Sequence, residues 1–522
     1  MRQQSHPQRI CPSKPESFKI ALSVVVLGGF MQSVSAQGTE VAASQRSSFS
    51  IVPRVSVTET LTDNVSLSST GRQSELITEI SPGVRLTGNS GRVKAYFDYA
   101  LNGRAYAQNT SGTSLQNALT AYGTVEAVNN WAFIDFNGNI SRQAISAFGT
   151  QSSGGSNLNT NQTESSTYRL SPHLRGRLSS VADYEARYSV TSSRSQSSLV
   201  SDVLTRDGHI RLSGRGAGSR LGWSLDAGQQ NVSYGGGRAT ESASLTAQLT
   251  YAVAPKLNIS VTAGQETNNY TTFDAQNFAT YGAGLTWSPL DGTRLSASRQ
   301  VHSYGQSHNL SFEHRTGRTA WKLSDGQSVS TTPSQPGLTN LGSAYDLYFE
   351  QFASIEPDLI KRAALVNNFL LINGINPSTI VVNGILTSAV SLQRRQDLSV
   401  ALLGARDTVT FMATRSETSR LDALSTAVDD LSNSALVRQT GLSISYAHRL
   451  TPSTAVNLLV SSQQSSASTG LLETTTKSVN LSLSTRVSRL ATAILSARRV
   501  VFDSQTTPYT ESAISGTLSV QF

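Results

Sequence analysis

From Ser50 onward, apolar and polar residues alternate with a period of two, in segments of roughly ten to fourteen residues divided by turn-rich breaks. Val93, Ala95, Phe97, Tyr99 and Leu101 share one face, and Arg92, Lys94, Asp98, Asn102 and Arg104 the other. Ala132, Ile134, Phe136, Gly138 and Ile140 repeat the pattern. So do Leu245 to Val253, Leu257 to Ala263, Leu442 to Tyr446 and Val479 to Leu483. A period of two places successive side chains on opposite faces of a strand. Each strand therefore has one apolar and one wet side. The closing segment Ser512–Phe522 keeps the pattern to the end, with Ile514, Gly516, Leu518, Val520 and Phe522 on one face and Ser515, Thr517, Ser519 and Gln521 on the other. An apolar strand closing on Phe is the signal that barrel-assembly machinery reads.

The breaks come in two lengths. Short ones include Thr87 to Gly91, Val128 to Trp131, Val253 to Lys256, Thr316 to Arg318 and Leu450 to Ser453. Long polar ones include Asp63 to Ser74, Phe148 to Glu164, Thr191 to Leu204, Glu266 to Gln276, Ser416 to Ser434 and Ser461 to Thr474. Their alternation predicts an all-β fold: one antiparallel up-and-down transmembrane β-barrel of about 22 strands, with short periplasmic turns and longer external loops. A β-solenoid adhesin is the main alternative fold, but it would lack this alternation.

One region changes period. In Ser343 to Ile375, apolar residues recur at spacings of three and four, from Tyr345, Tyr348, Phe349 and Phe352 to Leu359, Ala363, Phe369 and Leu370. This predicts an amphipathic helical insert within 343–385, with Glu356-Pro357 breaking it and Asn373-Gly374 ending it. Loop parity starts the insert from the external rim. Its apolar stripe must be buried, either in the lumen as a plug or against the rim and its loops.

At the other end, Arg2, Arg9, Lys14 and Lys19 precede the apolar run Ile20 to Phe30, and Val34-Ser35-Ala36 offers small residues for cleavage. Residues 1–36 read as a signal peptide, 37–49 as a periplasmic segment and 50–522 as the barrel. Cys11 is the single cysteine and lies in the leader, so disulfides and thiolate chemistry are not expected of the mature chain. Only 15% of residues are charged, as a barrel with a wet lumen requires. No apolar run past the leader reaches the length of a membrane helix. The net charge of +8 becomes 8 − 4 + 1 = +5 without the leader's four bases and Glu16. The arginines are spread singly rather than clustered with aromatics, which argues against nucleic acid.

Several motifs then resemble a known family. Pro53 to Val65 (PRVSVTETLTDNV), Glu75 to Gly83 (ELITEISPG), the central helical insert and the Gly404 to Thr410 turn are similar to the outer-membrane β-barrel family associated with PEP-CTERM/exosortase systems. Leu61 stands where that family suggests an aromatic. The resemblance spans the expected mature chain. It implies an outer-membrane location in bacteria that make exopolysaccharide, and it implies no catalytic residues.

Residues with chemical potential are few. Thr62-Asp63-Asn64 could ligate Ca²⁺ or a sugar, but one carboxylate falls short of a calcium cage, and Asp-Asn is good turn chemistry. His302, His308 and His314 lie on neighbouring strands at different heights, without a carboxylate constellation or a Gly-flanked serine. No catalytic, cofactor-binding or metal residue is assigned. Arg92, Arg104, Arg169, Arg175, Arg177, Arg220 and Arg486 are candidate lumen-lining residues. They either attract anionic solutes or brace the wall against Asp98, Asp135 and Asp226. Trp131, Trp223, Trp287 and Tyr446 suit an interfacial girdle. The leading functional expectation is a pore or conduit supporting exopolysaccharide export. The alternatives are a plugged scaffold or receptor that binds polysaccharide or protein through its loops, and a barrel enzyme acting on lipid or polysaccharide. Expected partners are outer-membrane lipid and lipopolysaccharide, the assembly machinery, and exopolysaccharide with its export apparatus.

Overall fold

A computed structural model describes residues 48–522 except 109–113, 216–219, 332–344, 346–347, 350–351, 353–355, 357, 373–385, 388, 423, 425–427, 469 and 471. The expected leader and nearly all of the 37–49 segment therefore lie outside the described residues.

The alternating segments form 22 strands: β1 (Ser48–Thr62), β2 (Glu75–Asn89), β3 (Val93–Tyr106), β4 (Ser114–Val128), β5 (Ala132–Ala144), β6 (Gln162–Leu178), β7 (Ala182–Ser195), β8 (Val203–Arg215), β9 (Leu221–Tyr234), β10 (Thr240–Ala254) and β11 (Leu257–Asn268). The second half comprises β12 (Gln276–Trp287), β13 (Thr293–His302), β14 (Gly305–Arg315), β15 (Thr319–Ser330), β16 (Ser391–Leu403), β17 (Asp407–Arg420), β18 (Leu436–Arg449), β19 (Thr454–Ala467), β20 (Glu473–Arg486), β21 (Ala491–Ser504) and β22 (Tyr509–Gln521). Each pairs antiparallel with its sequence neighbours, and β1 pairs with β22 from Arg54↔Gln521 to Thr62↔Ala513. The sheet is closed, so no strand edge meets lipid.

Register carries the alternation around the ring. Leu61 sits opposite both Leu76 and Ile514, and Val57 opposite both Ile80 and Leu518. All six are exposed, so this set is the lipid face. Thr58 and Thr517 alternate with it and share a hydrogen bond at 2.9 Å on the luminal side. Short connections at 90–92, 129–131, 179–181, 255–256, 316–318, 404–406 and 450–453 share one rim, the one expected to be periplasmic. Trp131, Trp223, Trp287 and Tyr446 lie at that end of the wall, as the girdle reading requires; Trp131 Nε1 donates to Tyr184 Oη at 2.8 Å. The opposite rim carries 63–74, 145–161, 331–390 and 421–435. Several external connections are shorter than expected because strands run on into them: 468–472 stands for Ser461 to Thr474 and 196–202 for Thr191 to Leu204, while β13 turns into β14 through Ser303-Tyr304 alone, with Gly305 at φ +114° completing the reversal.

Helices among the described residues include α1 (Leu359–Ile372) in the expected insert and the short α2 (Asp430–Asn433) in the 421–435 connection. Asp358 caps α1 by accepting from the Lys361 N–H at 3.2 Å. Helix α1 ends at Ile372, and the expected stop at Asn373-Gly374 lies outside the described residues.

Candidate functional site in the lumen

The lumen is occupied on one side. The insert leaves the external rim after β15, as loop parity predicts, and reaches the periplasmic half of the barrel. Ala363, Val366 and Leu370 form the buried stripe of α1, while Leu359 and Leu365 stay exposed. Ala363 packs with Tyr96 of β3, Tyr122 of β4 and Phe349. Val366 and Leu370 pack with Tyr348, Met412 of β17 and Leu459 of β19. The insert thus bridges two separate arcs of the wall. Polar contacts fix its height: Asn367 Nδ2 donates to Tyr96 Oη at 3.0 Å, Tyr348 Oη to Ser445 Oγ at 3.4 Å, and Lys94 Nζ lies 3.8 Å from the Asp358 carboxylate. Tyr348, Val366 and Leu370 are each at least 97% buried (residual exposures 3%, 0% and 1%). Such side chains contribute gross burial energy of roughly 1.5–3 kcal/mol each. The stripe packs against inward-facing side chains of β3, β4, β17 and β19.

A second inward element was missed in the sequence. Residues 145–161 fold across the mouth instead of standing up from the rim. Asn157 Nδ2 donates to the Glu511 carboxylate at 2.7 Å, and Arg498 binds both Asn157 Oδ1 (3.0 Å) and Glu511 (2.8 Å). Thr62 Oγ1 donates to the same carboxylate at 2.9 Å, so a nearly dry Glu511 joins β1, β21, β22 and the loop. Tyr509 Oη donates to the Gln151 carbonyl. On the far side, Asp430 of α2 accepts from Ser146 Oγ and the Ala147 N–H, both at 2.6 Å. Burial pushes the Asp430 carboxyl above the ordinary carboxylate range, against the opposing pull of those two donors. Leu431 packs beside it with Ala147 and Val437. Within the loop, Asn159, Asn161 and Gln151 donate to the carbonyls of Ser146, Gly149 and Thr150. That amide density was the legible signal. A loop buried in a lumen must satisfy its own backbone.

Insert and loop leave the wall unequally covered. Luminal Ser443, Ser445, Asn457, Ser478, Ser482 and Ser484 on β18–β20 are buried. Across the barrel, Ser244, Thr246, Gln248, Thr250, Asn258, Ser260, Thr262, Ser298 and Ser311 on β10–β14 remain half-buried or exposed. The middle of the uncovered wall is lined by hydroxyls and amides, with Glu266 and His302 toward one end and Arg294 and Glu313 toward the other. At its external end loops are tied together: Arg238 ion-pairs with Asp422 of the 421–435 connection at 3.2 Å and donates to the Tyr270 and Thr272 carbonyls, while Tyr234 Oη donates to the Thr331 carbonyl at 2.7 Å.

The candidate arginines mostly brace. Arg104 is buried on Glu79, Arg169 reaches Asp207 at 3.5 Å, Arg177 reaches Asp183 at 3.1 Å, and Arg175 lies over the Phe133 ring at 4.1 Å. Arg92 and Arg220 sit in periplasmic turns and Arg486 at the periplasmic end of β20, all three exposed. They flank the lumen's mouth and do not line its middle. Sequence reasoning missed the strongest brace, in which Arg54 and Arg85 converge on Asp98 across β1, β2 and β3. Gly83 permits it. A Cβ there would lie 2.6 Å from the Tyr99 carbonyl and 3.1 Å from Arg54 Nε.

The three histidines do not converge. His302 faces the lumen against Glu266 (2.8 Å), while His308 and His314 alternate with the luminal set; they contact Asp325 (3.1 Å) and Thr293 (2.8 Å). Thr62-Asp63-Asn64 is structural. Asp63 accepts from the Ser512 N–H at 2.7 Å, and Asn64, fully buried, bonds Ser68 and Thr510. Among the described residues, no group of acidic, histidine or cysteine side chains is arranged to hold a metal.

The protein is a closed 22-stranded antiparallel β-barrel. Scans against protein-family models and curated proteins each return no match. Solved structures similar to it include the siderophore receptor PirA from Pseudomonas aeruginosa, at 10% identity over 90% of this chain and 80% of that one, with a TM-score of 0.42. The FrpB iron transporter from Neisseria meningitidis gives 10%, 90%, 82% and 0.48. The ferric preacinetobactin receptor BauA from Acinetobacter baumannii gives 12%, 90%, 80% and 0.46.

Proposed function

We propose that this protein is a plugged outer-membrane receptor or gated transporter. The observation that carries this reading is the joint occupation of one side of the lumen by α1 and loop 145–161, through Ala363, Val366, Leu370 and the Glu511 network. Ligand would be met at the external mouth, where the loops bearing Arg238, Asp422 and Asp430 converge. The uncovered hydroxyl and amide wall suits a neutral, multiply hydroxylated solute such as an oligosaccharide, because it offers paired donors and acceptors with little fixed charge. A second reading, an open conduit for exopolysaccharide, draws on the motif resemblance and on the same neutral wall. Vesicle swelling separates the two. Vesicles containing the intact barrel should not swell in an uncharged maltooligosaccharide, whereas a variant with 332–389 replaced by a short Gly/Ser linker should admit it. Equal swelling of both would favour the open conduit.

A further inference from the structure

The outward face of β15–β18 changes character from one register row to the next. Register aligns Trp321, Val400, Phe411 and Ile444 in one row, and Leu323, Leu398, Ala413 and Leu442 in the next row toward the exterior. The following row is Asp325, Gln396, Arg415 and Thr440, and the one above it is Gln327, Arg394, Glu417 and Arg438. Each step of two residues rises roughly 5 Å along the barrel axis, at 3.4 Å per residue and a tilt of about 40°. The arginines therefore border the continuous apolar rows on their external side, and the row beyond them is Val329, Leu392, Ser419 and Leu436.

The cluster is ordered from within. Asp325 accepts from Arg394 (2.9 and 3.2 Å), Gln396 (3.1 Å) and His308 (3.1 Å). Glu417 accepts from Arg415 (2.6 Å) and Arg438 (2.9 Å). Three guanidinium groups thus face two carboxylates. Arg394, Arg415 and Arg438 keep 40%, 48% and 45% of their side chains exposed. Each guanidinium carries five N–H donors in a rigid fork suited to phosphate oxygens. Bracing an isolated barrel would need neither an excess of positive charge nor this position on the lipid side.

We propose that Arg394, Arg415 and Arg438 form a binding site for the phosphorylated headgroup of an outer-leaflet glycolipid. The carboxylates of Asp325 and Glu417 hold the forks, the remaining N–H groups take the phosphate oxygens, and the acyl chains lie along Leu398, Ala413 and Leu442 below. This site is independent of the lumen and of its plug.

The test uses the full barrel in detergent, with diphosphoryl lipid A and its dephosphorylated counterpart as probes and bound lipid counted by native mass spectrometry. The intact protein should retain the phosphorylated form at least about tenfold better, with the preference weakening at high salt. The triple variant Arg394→Gln/Arg415→Gln/Arg438→Gln should lose that preference, whereas the luminal control Arg169→Gln should keep it. A triple lysine variant should recover part of it, because charge is restored without the fork. Heat-modifiable mobility confirms folding; if the glutamine triple fails to fold, Arg415→Gln alone is measured and should show a partial loss. Equal retention of both lipids by the intact protein, or an unchanged preference in the variants, would overturn the proposal. Displacement of the lipid by millimolar inorganic phosphate would overturn it in favour of a free-anion site.

Discussion

Shaving the buried stripe of α1 should free the insert from the barrel wall. Val366 and Leu370 are one turn apart, are 0% and 1% exposed, and pack into the same cluster with Tyr348, Met412 and Leu459. A buried Leu→Ala change costs about 2–5 kcal/mol including the cavity it leaves. The methyl groups lost in Val→Ala add about 1.5 kcal/mol. Neighbours sharing one pocket are not strictly additive, so about 4–6 kcal/mol is the working figure for Val366→Ala/Leu370→Ala. At about 1.4 kcal/mol per factor of ten, the docked-to-released ratio falls roughly a thousandfold or more. The assay is trypsin added outside the refolded barrel. Arg362 lies on α1, its guanidinium over the Phe349 ring at 4.9 Å and its Nε donating to the Glu356 carbonyl at 2.8 Å. A protease cannot enter the lumen, so even exposed Lys361 should survive in the intact protein. In the double variant, cleavage at Lys361 and Arg362 should accelerate steeply while the strands stay protected. Rapid cleavage at Arg362 in the intact protein, or unaltered protection in the variant, would refute the reasoning.

Arg498→Ala strands the Glu511 carboxylate in a nearly dry site and should cost about 3–5 kcal/mol, read as a lower urea midpoint and faster hydrogen exchange across 145–161. Gly83→Val places branched carbons against the Tyr99 carbonyl and the Arg54 side chain; it should cost about 1–3 kcal/mol in urea unfolding, and most of the loss should persist in an Arg54→Ala background because the closer contact is backbone. Asp430 binds its proton more tightly when the loop is docked, so docking should weaken as pH rises from about 4, the ordinary carboxylate range, through the raised folded value. Protection of the Ala147 amide should follow that trend, and Asp430→Asn should flatten it.

The barrel was legible because a period of two, repeated over many segments, has one main closed solution in a membrane, and length asymmetry between breaks orients it. The helical insert was legible from its change of period, but its location was not. An apolar stripe such as Ala363, Val366 and Leu370 states that it is buried, and only the complementary Tyr96, Tyr122, Met412 and Leu459 say where. These four occupy luminal positions on strands distant in sequence, each one apolar residue among polar ones, and singly they look like noise. Loop 145–161 was hidden for a related reason. Polar residues that satisfy a buried backbone and those that solvate a surface loop are the same types, and only the density of Asn and Gln separates the cases. Strand boundaries decided the arginines. Arg92 and Arg220 belong to turns, while Arg54 and Arg85 make the brace that Gly83 allows.

The occupied lumen is tested most directly by thiol accessibility. Single cysteines at Ser445, beneath the insert, and Ser298, on the uncovered wall, are labelled with a charged, membrane-impermeant maleimide in the refolded protein lacking Cys11. Ser298→Cys should react readily and Ser445→Cys slowly, and replacing 332–389 with a linker should bring the two rates together. Equal labelling of both positions in the intact chain would contradict a plug seated between β3–β4 and β17–β19.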